Sequence, residues 1–213
     1  MTELLAVIRS ERLDLVDYLE TLTPAQWATP SLCGGWTVQD VAAHLAGAPA
    51  LTPIAATIDL ARAGFRPNRF IADTAVRWSR QGPAAILDQL RVNAAHDAKP
   101  LGVPRVASLV DAVVHALDIR RPLGTTRAIP VTAFRLAADF CAGTRWPASM
   151  MVGGSVQSRI QGLRLVADDL DWSWGAGPEV HGSAEALILV LTGRPIRAEE
   201  LIGPGAATLY DRL

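Results

Sequence analysis

Between Leu109 and Gly124 the chain reads LVDAVVHALDIRRPLG, and no other stretch constrains the fold as tightly. Its apolar residues recur at helical spacing, and Pro122 with Gly124 predicts a stop. Asp111 stands four residues before His115. Each helical residue turns by about 100°, so a four-residue step returns to nearly the same face one turn along. The residues between them, Ala112, Val113 and Val114, are apolar, which predicts a helix buried in a core. An acid and an imidazole there need partners, because unpaired buried polar groups are costly. Two arrangements supply them: a buried Asp–His hydrogen bond, or a divalent metal that takes both side chains as ligands from one rigid element.

The flanking chain predicts more helices. Residues 3–22 carry a stripe of Leu4, Leu5, Ile8, Leu13, Val16, Leu19 and Leu22. Thr23-Pro24 reads as a cap and first turn. PSLCGGW (30–36) reads as a loop, and Thr37 caps a helix with Asp40 in its first turn, where the helix dipole favours an acid. Pro49 and Pro53 end or kink that helix. Further helices are expected over 53–63, 69–80, 83–97 and 130–145, with a loop over 99–104. Later the pattern alternates: 160–167 and 171–174 read as strands, Gly175 to Pro178 as a hairpin turn, Val180 and His181 as the returning strand, and Ser183 to Leu191 as a helix. The expected fold is mainly α with a small α+β tail. A four-helix bundle over 1–125 is followed by a helix and a strand–strand–helix module over 126–213.

Composition narrows the function. Half the residues are hydrophobic, the net charge is −1, and no basic patch stands out, which argues against a nucleic-acid partner. Two cysteines, Cys33 and Cys141, make no disulfide framework, and the N-terminal segment holds no apolar signal core. A cytoplasmic protein without a membrane span is expected. The most apolar segment, Leu45 to Ile58, is short and broken by two prolines.

Of the four histidines, His44 and His115 fall on apolar predicted helices. His96 reads as solvated and His181 as structural or exposed. His44, Asp111 and His115 together have the composition of a catalytic zinc site with an open fourth position. Asp40 and Asp118 lie one turn from His44 and His115, where each could orient an imidazole or serve as an ordinary surface acid. Cys33 could approach the metal or simply pack.

The segments LTPAQWATPSLCGGWTVQDVAAHL, DAVVHALDIRRPLG and LRLVADDLDWSWGAGPEVHGSAEALILVLTGRP resemble the mycothiol-dependent maleylpyruvate isomerase family. That family belongs to the DinB-like, bacillithiol-transferase-like superfamily of metal-binding bundles, and the third segment resembles its sterol-carrier-like C-terminal module. The resemblance implies a divalent metal, zinc first among the candidates, on His44, Asp111 and His115. It also implies mycothiol as thiol cosubstrate and a small electrophile as substrate, in a transferase or isomerase. It further implies a catalytic arginine, for which Arg69, Arg77 and Arg80 are candidates. One ligand departs from the family pattern, with Asp111 where glutamate is usual. The alternatives are a non-catalytic small-ligand-binding or metal-binding protein of the same fold, or a structural protein without metal.

Overall fold

The N-terminal stripe winds into α1 (Thr2–Glu20), which buries Leu15, Val16 and Leu19. The structure, a computed structural model, describes residues 2–100, 102–145, 149 and 154–213. Leu101, within the predicted 99–104 loop, lies outside the described residues. Thr23 and Gln26 form a capping box for the short α2 (Pro24–Trp27). Thr37 and Asp40 do the same for α3 (Val38–Ala50). Four helices follow: α4 (Pro53–Arg62), α5 (Pro67–Ser79), α6 (Gly82–Ala95) and α7 (Arg105–Arg120). After α7 a single 3-10 turn, Arg121–Leu123, ends at Gly124, whose φ of 69° is a left-handed cap that glycine adopts without strain.

α3 is the centre of this unit and packs against α5, α6 and α7, while α1 packs against α6 and α7. Small residues allow it. Ala42, Ala43 and Ala46 are buried, and a Cβ at Gly47 would overlap the Trp78 indole of α5. Leu15, Leu19, Ile86, Leu90 and Ile119 fill the space between the helices. Each such side chain contributes about 1.5–3 kcal/mol on full burial.

Pro49 does not end α3 but sits inside its last turn. A proline has no N–H, so the Leu45 carbonyl loses its helical donor. The side chain of Asn93 on α6 replaces it. Asn93 is 1% exposed, and its Nδ2 donates to Leu45 O (3.2 Å) and Ala46 O (2.9 Å) while its Oδ1 accepts from Gln89 (2.9 Å).

The chain divides into two compact units, Met1–Thr126 and Arg127–Leu213. The second contains α8 (Val131–Gly143), α9 (Val156–Ile160), β1 (Arg164–Ala167), β2 (Ser173–Gly175), β3 (Glu179–Gly182) and α10 (Ala184–Leu191). It closes with a 3-10 turn, Ala198–Glu200, then β4 (Leu201–Ile202) and α11 (Ala206–Tyr210). Among the described residues the sheet order is β2-β1-β3-β4.

Two expectations are corrected here. Ile160 ends a helix rather than opening a strand, so β1 starts only at Arg164. Gly175 to Pro178 is not a hairpin turn. β2 pairs antiparallel with β1, and β3 returns parallel to β1 on its other side. Gly175 and Gly177 (φ 86° and 133°) carry the chain across the end of β1, against the carbonyls of Leu163 and Gly162, where no Cβ fits. The β1–β2 turn is held by Trp172, which packs edge-on to Phe134 and donates from Nε1 to Asp139 (2.8 Å). Helix α10, capped by Ser183, is buried nearly all round against β1, β3 and α8.

No helix of the described residues is long and apolar enough to cross a membrane.

Candidate metal centre

His115 lies on the buried face of α7, and the loop before α3 is fastened beside it. Leu32 N–H donates to the Asp118 backbone carbonyl (3.1 Å). Ser31 Oγ accepts from Cys33 N (3.1 Å) and donates to Trp36 O (2.9 Å), and Gly35, at φ 80°, lets the turn close. These bonds put the Cys33 thiol against α7. Its Sγ donates to Asp118 Oδ2 (3.1 Å) and lies 3.8 Å from His115 Nδ1. The same Oδ2 accepts from His115 Nδ1 at 2.8 Å.

Cys33, His115 and Asp118 thus form a group whose possible ligand atoms all lie within 4.8 Å of one another. Asp118 is 0% exposed and His115 is buried. Burial by itself would lower the His115 pKa, but the hydrogen bond His115 donates to Asp118 and the Cys33 contact outweigh it and push it up to about 10. A buried carboxylate without such a partner would be strongly destabilising, which ties the pair together.

The His115 ring also meets His44 of α3, with ring centroids 5.1 Å apart at 78°. Trp36 packs on the other ring, 5.5 Å from His44. His44 and Asp111 line one cleft, which also takes in Arg12 and Leu15 of α1, Leu90 of α6 and Ser108 of α7. The structure therefore brings the rings of His44 and His115 together and places His44 and Asp111 in the wall of one cleft, with Asp111 and His115 one turn apart on α7. It brings Asp118 to His115 from the Nδ1 side, together with Cys33.

The other expected residues lie elsewhere. Asp40 is committed to its own helix end, where its Oδ2 accepts from Thr37 N (2.9 Å) and Thr37 Oγ1 (2.7 Å). Burial acts to raise its pKa, but hydrogen bonds from the Thr37 amide, Ser79 and the Thr37 hydroxyl bring it below the ordinary value. Arg69, Arg77 and Arg80 are exposed. Arg69 pairs with Asp73 (3.4 Å) and Arg77 with Asp59 (2.5 Å), and none of the three lines the cleft. The arginine that does is Arg12 of α1, which the sequence reading does not single out. Its guanidinium is held by Asn93 O (2.9 Å) and Ala98 O (2.7 Å). Burial lowers its pKa, with Asp111 and Asp97 pulling the other way. No local motif announces Arg12; only its position on the inward side of α1 does.

His96 caps the end of α6, and His181 bridges Asp168 (3.0 Å) and Glu179 (2.9 Å) in the second unit.

The family model for the mycothiol maleylpyruvate isomerase N-terminal domain matches residues 8–120. Uncharacterized proteins MT0041 and Rv0036c, from two strains of Mycobacterium tuberculosis, are each 28% identical over 219 aligned positions, covering 89% of this chain and 84% of theirs. Two crystal structures share the fold: a mycothiol-dependent maleylpyruvate isomerase (TM-score 0.61, 16% identity) and a histidine-to-alanine mutant of such an enzyme (TM-score 0.62, 18% identity). Each match covers 96% of this chain and 93% of the solved one.

Proposed function

Because the chain belongs to the mycothiol maleylpyruvate isomerase family, we propose that it is a metal-dependent thiol transferase or isomerase. It would hold a divalent cation, zinc first, on His44, Asp111 and His115, and use mycothiol against a small electrophile.

The observation that carries this is the direction of His115. Its Nδ1 is bonded to Asp118 at 2.8 Å, which leaves Nε2 as the nitrogen a metal would take. A ligating histidine is commonly held in this way, its second nitrogen donating to a carboxylate that fixes tautomer and ring orientation. Two imidazoles and a carboxylate fit the donor set of a catalytic zinc site with one open position. Asp111 is one methylene shorter than glutamate, so its helix would sit closer to the cation.

A cation there would keep a coordinated thiol deprotonated at neutral pH. The chain's own residues do the rest. Asp118 holds the His115 ring. Leu15 and Leu90 give the cleft an apolar wall, and Trp36 packs on His44. The thiol sulfur adds to an electrophilic carbon of the substrate. With a cis-alkene acid, rotation about the former double bond followed by elimination gives the trans isomer and returns the thiol. With an alkyl halide or an epoxide the same attack breaks the carbon–halogen or carbon–oxygen bond, releasing halide or leaving a hydroxyl after protonation, and gives an S-conjugate.

A second reading has its own support, the short separations among Cys33, His115 Nδ1 and Asp118. Those three would then be the ligands. Metal content separates the two. Stoichiometric metal in the purified protein, retained in Cys33→Ala and lost in His44→Ala and His115→Ala, supports the first reading. Loss in Cys33→Ala with retention in His44→Ala assigns the cation to the Cys33 group. Metal retained in His115→Ala overturns both.

A further inference from the structure

Helix α4 turns its apolar side outward. Ile54, Ile58, Ala61 and Phe65 recur at helical spacing, the stripe that a surface helix ordinarily packs against the core. Here no residue of α4 is fully buried, and the bulkiest members of the stripe stand in solvent: Ile54 is 75% exposed, Ile58 45% and Phe65 73%. The turn into α5 keeps Phe65 out. Gly64 N–H donates to Ala61 O and Phe65 N–H to Leu60 O (both 2.9 Å), the paired bonds that close a helix over a left-handed glycine, here at φ 68°. The apolar side chain after such a glycine commonly folds back on the helix it ends. Phe65 does not, and its own φ of 56° is one that a bulky residue seldom takes. Charge gathers at the same place. Residues 53–80, which span α4, the turn and α5, carry five arginines and two aspartates in a chain whose net charge is −1. Arg62, Arg66 and Arg69 lie within four residues of Phe65 and are exposed. Asp59 is drawn in between Arg62 and Arg77, its side chain 10% exposed.

We propose that the α4–α5 turn is a docking surface for an anionic lipid bilayer, with Phe65, Ile54 and Ile58 entering the headgroup region and Arg62, Arg66 and Arg69 meeting lipid phosphates. An apolar stripe edged with arginine is the composition of a helix that lies in the plane of a bilayer surface. Arginine pairs with phosphate oxygens through two N–H donors at once, and its stem lies along apolar surface while the head reaches the phosphate layer. The size of the face favours lipid over protein. A ten-residue helix presents a strip about 15 Å long and about 10 Å wide, about 150 Å². A standard protein interface takes about 800 Å² from each partner. A bilayer needs no shaped counterpart: it closes around a narrow wedge and adds the attraction of its own negative charge. A second copy placed face to face would set arginine against arginine. None of these residues lines the cleft beside His44, so docking is independent of the metal assignment.

The test is flotation of the purified full chain with vesicles of phosphatidylcholine alone, and of phosphatidylcholine and phosphatidylglycerol in equal parts, at low and at physiological salt. Binding to the anionic vesicles is expected, with none to the neutral ones and less as salt rises, because exposed charges are screened. Phe65→Asn removes the ring at a backbone position that asparagine tolerates better, so its Tm should be unchanged or higher. Its affinity for anionic vesicles should fall about tenfold, as for an aromatic side chain returned to water. Arg66→Gln should weaken binding about fivefold. Arg9→Gln, the same change of charge on α1, should leave it unchanged. Failure of the wild type to float with anionic vesicles overturns the proposal, as does equal binding to neutral vesicles or a Phe65→Asn variant that floats as the wild type does. An effect of Arg9→Gln equal to that of Arg66→Gln leaves only net charge and removes the site. Light scattering on the same samples tests for a second copy: a dimer that Phe65→Asn makes monomeric assigns the face to self-association and overturns the lipid assignment. Binding of polyglutamate that Phe65→Asn weakens as much as it weakens vesicle binding assigns the face to an acidic protein segment and overturns it too.

Discussion

Replacing Asn93 by alanine tests how the cleft is braced. The amide side chain holds the Leu45 and Ala46 carbonyls and accepts from Gln89. Ala46 lies four residues before Ala50, which has an N–H of its own, but Leu45 lies four before Pro49, which has none. Loss of Asn93 therefore leaves the Leu45 carbonyl without a helical donor, at about 1–3 kcal/mol. Adding the space vacated by the amide, Asn93→Ala should cost about 2–4 kcal/mol in all. For a chain of this length that is a fall of several degrees in Tm, at roughly 2–4 °C per kcal/mol. The informative experiment is the double-mutant cycle with Pro49→Ala, which gives position 49 an N–H for Leu45 O. Urea unfolding followed by tryptophan fluorescence supplies the four free energies, with Trp27, Trp36 and Trp78 reporting on the first unit. Asn93→Ala should cost at least about 1 kcal/mol less in the Pro49→Ala background. Equal costs in both backgrounds would refute the argument that Asn93 replaces the donor missing at Pro49.

Three further outcomes follow from the same geometry. Gly47→Ala gains about 1 kcal/mol of helix propensity, yet its methyl overlaps the Trp78 indole; overpacking at about 1–3 kcal/mol should win, and a higher Tm for the variant would show that α5 yields. Asp118→Asn keeps the side-chain shape but weakens the hold on His115, so metal affinity should fall about 10–100-fold, read by competition with a chromogenic chelator; unchanged affinity would remove Asp118 from that role. His181 is bonded to Glu179 and Asp168, which raise its pKa above the ordinary 6.5. A raised folded pKa means its contribution is complete below pH 6.5 and is lost as pH rises through the folded value. The Tm difference between wild type and His181→Gln should shrink over that rise, and a difference independent of pH would contradict the assignment.

Much of the first unit can be read locally. The Thr37/Asp40 box, the stop at Pro122 and Gly124, and the single face shared by Asp111 and His115 depend on residues within about one helical turn, where backbone geometry leaves few choices. The strand module was harder to read because pairing partners are not neighbours in sequence. Periodicity marks strands but not which edge a returning strand takes, and the parallel β1–β3 pairing depends on Gly175 and Gly177 passing close to other backbone.

The chain's local chemistry decided where its helices begin and end and which side chains share a face. Packing alone decided who meets His115. Cys33 is separated from it by 82 positions and from Asp118 by 85, and they meet because the Leu32 amide docks on α7. Arg12 meets the carbonyl of Asn93 across 81 positions for the same kind of reason. A helix's period places a residue on a face, but only the neighbouring helices decide whether that face is solvent, core or cleft. That is why Asp40 became a cap, Asp118 a partner of His115, and Ser108 a buried hydroxyl in the wall of a cleft.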